Sequence, residues 1–358
     1  MSVQRWVADR VRTDLVHLDV AACGVVSQAT LDAEVAHLRA EAAGGGYVAE
    51  LAAAPRIDAG RAALASMVGL SGGDVAFSEG CGGSLSALLD AWPLAPGARI
   101  GTVPSEYGGN ARVLADRAGR RGWQLIGLEV DDLGRVQRIP AGLDLVTFPH
   151  VASQRGVAQP VAEVLASGIP LLLDVAQSLG QTAVPSGAAA YVGTSRKWLC
   201  GPRGVGFAIV DPAWQARLAD PPTLQVTEYD DVRRFESPEA HIAGRVGLAR
   251  AAQQWSPALL PVLQAAAAAA RVLLQDAGGW RVVEPLDEPT GITTLLPPAG
   301  ADVVATRAAL LADGFLTSAV PVSRAADLSG PVLRVSTAAW VTPGDLDRLA
   351  AALSRRTA

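Results

Sequence analysis

Lysine is nearly missing from this chain: of its 358 residues one is lysine, Lys197, against twenty-nine arginines. Enrichment in Ala, Gly, Pro and Arg points to a GC-rich genome that replaced Lys wherever Arg would serve. The surviving lysine is therefore a candidate for chemistry closed to arginine, which stays protonated and neither forms an imine nor abstracts a proton. Lysine does both once its pKa is lowered. Cysteine is sparse too. Cys23, Cys81 and Cys200 lie far apart, with neither metal-ligand nor disulfide spacing, so no metal is expected and a reducing cytoplasm is the expected setting. No apolar run is long enough to span a membrane, and the longest, Ala265–Leu274, is mostly alanine and contains Arg271. The charged stretch Met1–Leu15 lacks the apolar core of a signal peptide. A net charge of −5 without a basic patch leaves no footprint for nucleic acid or a membrane surface. What is present is apolar bulk: 50% of residues are hydrophobic, enough for a large core, and the length suits two unequal domains.

The spacing from Ser27 to Ala43 is helical and ends at Gly44-Gly45-Gly46, and a second helix is expected from about Ile57 to Leu70. Short apolar runs then alternate with helical segments. The runs are Val75–Ser78, Arg99–Val103, Gln124–Val130, Asp144–Phe148, Pro170–Val175, Ala189–Gly193 and Val205–Val210. Helices are expected at Ser84–Trp92, Asn110–Arg121 and Val161–Ser167. This alternation predicts an α/β fold on a mostly parallel, helix-covered sheet. Val205–Val210 follows a tight Gly-Pro turn and is expected to add an antiparallel strand. After Pro212 the style changes to a long alanine-rich helix, roughly Pro257–Ala277, and weak strands at Gly291–Leu295 and Val332–Ser336. A helix near Val303–Asp313 and a last one from Thr342 or Pro343 complete a smaller α+β domain.

In open α/β sheets ligands sit beyond the carboxyl ends of the strands, and three loops there carry unusual residues. Phe77 to Ser84 turns from strand to helix through Gly80, Cys81 and Gly82, a backbone suited to cradling phosphate. Taken alone it also reads as a plain turn. Asp174 ends the apolar run Leu171-Leu172-Leu173, and a partly buried acid there needs a partner. A protonated pyridine nitrogen would serve; a helix N-cap is the simpler reading of the same residue. Thr194-Ser195-Arg196-Lys197 sets two hydroxyls and an arginine, a bidentate phosphate ligand, beside the lone lysine.

Together these loops resemble the class V aminotransferase and cysteine desulfurase group of fold-type I pyridoxal-phosphate (PLP) enzymes, over nearly the whole chain. Asp174-Val175-Ala176-Gln177 is similar to the group's D-x-A-Q motif. Thr194 to Lys197 occupies its Ser-x-His-Lys motif, with Arg196 in place of histidine, and Gly201-Pro202-Arg203-Gly204 is its Gly-Pro-x-Gly loop. The resemblance implies that Lys197 holds PLP as a Schiff base and that Asp174 keeps the pyridine nitrogen protonated. It implies Gly80, Cys81, Gly82, Thr194 and Arg196 around the phosphate, Tyr107 stacked on the ring and Gln177 at the phenolic oxygen. Arg334 matches the arginine that grips the substrate carboxylate. Ser153 stands where an asparagine often faces the site, and Arg234 to Ser237 resembles a structural motif. The implied organisation is a substrate-lining segment 1–24, a PLP-binding domain 25–240 and a small domain 241–358, in a homodimer with its sites at the interface.

Gly314 to Arg334 contains no cysteine, where the desulfurases carry their nucleophile. The Leu18–Gly24, Gly45–Glu50, Val151–Gly156 and Ala240–Gly247 stretches resemble the PLP-dependent lyases of actinobacterial ergothioneine biosynthesis. That resemblance implies an amino-acid-derived sulfoxide as substrate, hercynylcysteine sulfoxide, cleaved by β-elimination to a sulfenate, pyruvate and ammonia. It also implies Tyr47 on the substrate side, where an aromatic face would suit a trimethylammonium group. Another β-eliminating lyase, an aminotransferase or an epimerase of the same group is the alternative enzyme. A non-catalytic regulatory protein is the alternative outside enzymes, although no basic helix-turn-helix segment precedes the domain.

Overall fold

The computed structural model of the chain describes residues 1–221 and 229–355. Its centre is a seven-stranded sheet ordered Val75–Ser78, Gly206–Val210, Ala190–Thr194, Leu171–Asp174, Leu145–Pro149, Arg99–Thr102, Gln124–Gly127. Gly206–Val210 runs antiparallel to both its neighbours, as its Gly-Pro turn predicts, and the remaining pairs are parallel. Both faces are covered. Leu171 and Leu173 enter one core with Phe77 and Phe148, while Leu172 enters the other with Ile100 and Leu145. That two-sided burial is why the strands read as continuous apolar runs rather than alternating ones.

A second sheet pairs Arg281–Val282, Ile292–Leu296, Val332–Ser336 and Ser318–Val320 antiparallel. It packs with the Leu259–Leu274 and Pro343–Ser354 helices around Leu274, Trp280, Leu333 and Leu349. The N-terminal segment joins this unit: Val16–His17 pairs with Phe315–Leu316, Leu18 enters its core, and Trp6 stacks on Trp340 at 5.6 Å. Among the described residues no single helix is long and apolar enough to cross a membrane.

Two expectations are corrected. The helix expected from Ile57 begins at Gly46 and runs to Ser66, with Pro55 inside it. The glycine run reads as a stop, but only Gly45, at φ 90°, breaks the chain. Pro55 removes the donor for the Leu51 carbonyl on a stretch that faces solvent, Leu51 being 75% exposed. The domain boundary at 240/241 also falls ahead of a helix, Ile242–Gln254, that packs in the first core through Ile242, Val246 and Leu248. Its Ala- and Gly-rich surface is buried nearly all round, so it had no polar face by which to be recognised.

Arg271, the charge inside the apolar Leu259–Leu274 helix, is fully buried and donates to the carbonyls of Glu288 (2.7 Å), Thr290 (2.6 Å) and Ile292 (3.0 Å). Arg271→Met leaves those acceptors unpaired. We expect it to cost about 3 kcal/mol, seen as a lower urea midpoint at unchanged slope.

Candidate active site

The carboxyl ends of the parallel strands open into a cavity of about 560 Å³. The loop after Val75–Ser78 brings Gly80, Cys81 and Gly82; the strands ending at Asp174 and Thr194 bring Asp174, Gln177, Thr194, Arg196 and Lys197. Tyr107, Ser153 and Arg334 line it as well. Every site residue expected from the sequence is therefore at this cavity except Tyr47.

Lys197 reaches the cavity, yet its amine is surrounded by protein. Burial, helped by the charges of Arg196 and Arg334, lowers its pKa to about 8 against the pull of Asp174 and Cys81. Its neutral amine is thus accessible near neutral pH. Loading of the apoprotein with PLP should speed up about tenfold per pH unit below that value and level off above it. A rate that keeps rising to pH 10, followed by visible absorbance after mixing, would contradict this placement.

Asp174 ends its strand and caps no helix. Its Oδ1 accepts from the Ala176 amide (2.7 Å) in an Asx-type turn, and its Oδ2 accepts from Asn110 Nδ2 (2.8 Å). The same Asn110 amide donates to Glu106 Oε1 (3.1 Å), which also accepts from the Tyr107 N–H (2.8 Å). Burial and the nearby Asp174 charge push the Glu106 carboxyl up to about 8. Glu106 and Asn110 had no role in the sequence reading. The available signal was an acid directly between an apolar strand and a helix start.

The Leu18–Gly24 segment docks beside the lysine. Gly24 N donates to Arg196 O at 2.7 Å, and a Cβ on Gly24 would stand 2.5 Å from Lys197 O. Arg196 donates to Ala22 O. Gln177 donates to Ala21 O (2.9 Å) and accepts from the Trp198 indole (2.9 Å), so its amide already ties this segment to the Asp174 loop. Ser195, expected beside Thr194 at a phosphate, is instead buried toward Gly201, because successive strand residues face opposite ways. Arg334 donates to Ser153 O (2.6 Å) and pairs with Asp19 (3.1 Å), which also accepts from Ser318 Oγ (2.6 Å). Ser153 therefore meets Arg334 through its carbonyl. Glu236, in the Arg234–Ser237 motif, pairs with Arg61 and Arg245 and accepts from Phe77 N at 2.9 Å, bracing the strand that leads to Gly80.

Tyr47 is 79% exposed on the outer face of its helix and lines a different cavity, with Arg61 and Glu236. Within one chain it is not part of the Lys197 site. The three thiols are held protonated. Burial pushes Cys200 up to about 12, Cys81 well above its usual range and Cys23 upward.

These features fit PLP. The Cys81–Ala91 helix starts at the cavity with no side-chain cap, and Gly80 has open space where a Cβ would stand, so the first-turn N–H groups are free for a phosphate. An amine with lowered pKa and a strand-end carboxylate complete the requirement.

The profile of the Aminotransferase class-V family matches residues 16–275. A relative from Mycobacterium tuberculosis (strain CDC 1551 / Oshkosh), named "Probable hercynylcysteine sulfoxide lyase", is 40% identical across 99% of this chain and 93% of its own length. The apo cysteine desulfurase of Thermococcus onnurineus NA1 superposes with a TM-score of 0.88 at 16% identity, over 100% of this chain and 98% of its own. The cystine C–S lyase C-DES, bound to cysteine persulfide, gives 0.85 at 17% identity over 95% of this chain and 97% of its own. At these identities the two structures show the fold, which is that of fold-type I enzymes. The chain belongs to the aminotransferase class-V family, as its motifs imply. Its activity class is that of a PLP-dependent carbon–sulfur lyase.

Proposed function

We propose that this enzyme cleaves the C–S bond of hercynylcysteine sulfoxide by β-elimination. The products are a sulfenate, which two equivalents of an external thiol would reduce to ergothioneine with release of a disulfide and water, and a three-carbon fragment that water converts to pyruvate and ammonia. The observation that carries the reading is the chemistry of the Lys197 cavity: an amine of lowered pKa and arginines converge there, while all three thiols stay protonated. That set favours proton removal by an amine over attack by a thiol. The name of the M. tuberculosis relative supports the sulfoxide.

When bound, PLP supplies an electron sink for the pair left on the α-carbon. Lys197 would hold the cofactor and, once freed as an amine, would take the Cα proton. Asp174, oriented by Asn110 and the Ala176 amide, would keep the pyridine nitrogen protonated. Gly80, Cys81 and Gly82, with Thr194 and Arg196, would hold the phosphate, and Tyr107 and Gln177 would flank the cofactor. Arg334, set by Asp19 and the Ser153 carbonyl, takes the substrate carboxylate. A sulfoxide leaves readily because charge develops on its oxygen as well as on sulfur. To test this, the PLP-loaded protein is given hercynylcysteine sulfoxide or cysteine. Pyruvate is expected from the sulfoxide alone; pyruvate from neither, or sulfide from cysteine, rejects the reading.

The same reading includes a second copy of the chain against the outer face of the Gly46–Ser66 helix, bringing Tyr47 to the neighbour's substrate. The exposure of Tyr47, Val48 (64%) and Leu51 (75%) on one helix supports it. Light scattering should give a dimer for the parent and a monomer for Leu51→Glu. A monomeric parent contradicts the arrangement.

A further inference from the structure

The loop between the Ser318–Val320 and Val332–Ser336 strands brings one more arginine into the cavity, and the roles above leave it unused. Its short 3₁₀ turn, Val322–Arg324, sits on the first turn of the Gly108–Arg121 helix. The approach is close enough to require glycine there: a Cβ on Gly108 would stand 2.6 Å from Ser323 O and 3.3 Å from Arg324 O. The backbone at Arg324 is thereby fixed. Its guanidinium lies 5.5 Å from the centre of the Tyr107 ring and lines the cavity shared with Lys197, Arg196 and Arg334.

Four arginines line the cavity: Arg196 would serve the phosphate with the helix N-terminus and Thr194, Arg334 would take the α-carboxylate, Arg203 is exposed to solvent, and Arg324 is half-buried with no role yet. Arg334 has its own carboxylate in Asp19, whereas among the described residues no acidic side chain pairs with Arg324. A half-buried cation among other cations, without a carboxylate of its own, favours an anionic ligand. A guanidinium takes a carboxylate through two parallel hydrogen bonds. Arg334 is held in the sheet opposite Ser318, and the turn carrying Arg324 is held against Gly108, so the fold brings both arginines to the one cavity, as a clamp for two carboxylates requires.

We propose that Arg324 is a specificity-determining residue that pairs with a carboxylate on the leaving half of the substrate, remote from the α-carbon. The inference rests on the lyase reading above, whose sulfoxide carries such a group on its histidine-derived half. It adds that the enzyme selects S-conjugates of cysteine with a second, distal carboxylate. Tyr107, beneath the guanidinium, joins this subsite to the position of the cofactor ring.

The test compares two sulfoxide conjugates, the histidine-betaine one and its analogue lacking the betaine carboxylate, on the parent, Arg324→Gln and Arg324→Lys. PLP affinity of each apoprotein is measured alongside. The parent should prefer the dicarboxylate by roughly ten- to a hundredfold in kcat/KM. In Arg324→Gln that preference should collapse through KM, with kcat for the dicarboxylate within about twofold, as expected for loss of uniform binding. Arg324→Lys should restore part of it, and PLP affinity should not move. Equal losses on both conjugates would overturn the proposal by making Arg324 an α-carboxylate or packing residue. Weakened PLP binding would overturn it by making Arg324 a phosphate ligand, and a parent without preference leaves no such subsite. Turnover of neither conjugate by PLP-loaded parent enzyme rejects the lyase reading itself, and the inference falls with it.

Discussion

Lys197→Arg should be as inactive as Lys197→Ala, with turnover down by at least ~10⁴-fold in both. The comparison is decisive because arginine keeps the charge and much of the length of the side chain. What it loses is an amine that sheds its proton near pH 8, the value to which burial brings Lys197; a guanidinium stays charged throughout the accessible range. If the lysine only balanced Asp174, arginine would suffice, and a chain with twenty-nine arginines would be expected to have one there. Lys197→Ala should not melt below the parent apoprotein, since burial opposes the lysine's charge in the folded state, whereas Lys197→Arg, which cannot shed its proton, should melt somewhat lower. Substantial activity in either variant sinks the assignment of Lys197, and a Lys197→Ala chain that fails to fold would show the lysine to be structural.

Asp174→Asn should lower kcat by on the order of 10³-fold while leaving KM and PLP uptake nearly unchanged. Asparagine keeps one acceptor, which the turn directs to the Ala176 N–H (2.7 Å), while its NH2 comes to face Asn110, whose amide can turn its oxygen to accept from it, so the packing has no reason to collapse. It removes the negative charge that holds the ring nitrogen protonated. It also removes one of the two influences that raise Glu106, whose carboxyl should then ionise at lower pH than the parent's value of about 8. Asp174→Ala is the control for packing. It strands the Ala176 N–H and one of the two Asn110 amide hydrogens, at a cost of about 1–3 kcal/mol, and should lower stability as well as rate. A kcat unchanged in Asp174→Asn would leave the carboxylate as a turn-forming residue only.

The central sheet and the cavity loops were legible because their signals are local. Strands buried on both faces are unbroken apolar runs, and glycines mark the turns at their carboxyl ends. Lys197 was legible by scarcity. The Ile242–Gln254 helix was not, because burial all round removes the polar stripe that gives a helix its period. Nor was the start of the Gly46–Ser66 helix, where the glycine signal outvotes a stretch held by tertiary packing. The Glu106–Asn110–Asp174 chain and the Asp19–Arg334–Ser318 triangle join residues from separate elements through single hydrogen bonds. No periodicity announces such contacts. Tyr47 was placed at the site through resemblance, and one chain alone turns it outward.

Reduction of the PLP-loaded protein with borohydride, followed by peptide mass mapping, tests the central claim most directly, because reduction fixes the cofactor on whichever amine holds it. The account predicts one phosphopyridoxyl group, on the peptide containing Lys197, with loss of visible absorbance and of pyruvate release in step. A label on the Met1 amine, or a protein that stays active and unlabelled, would contradict it.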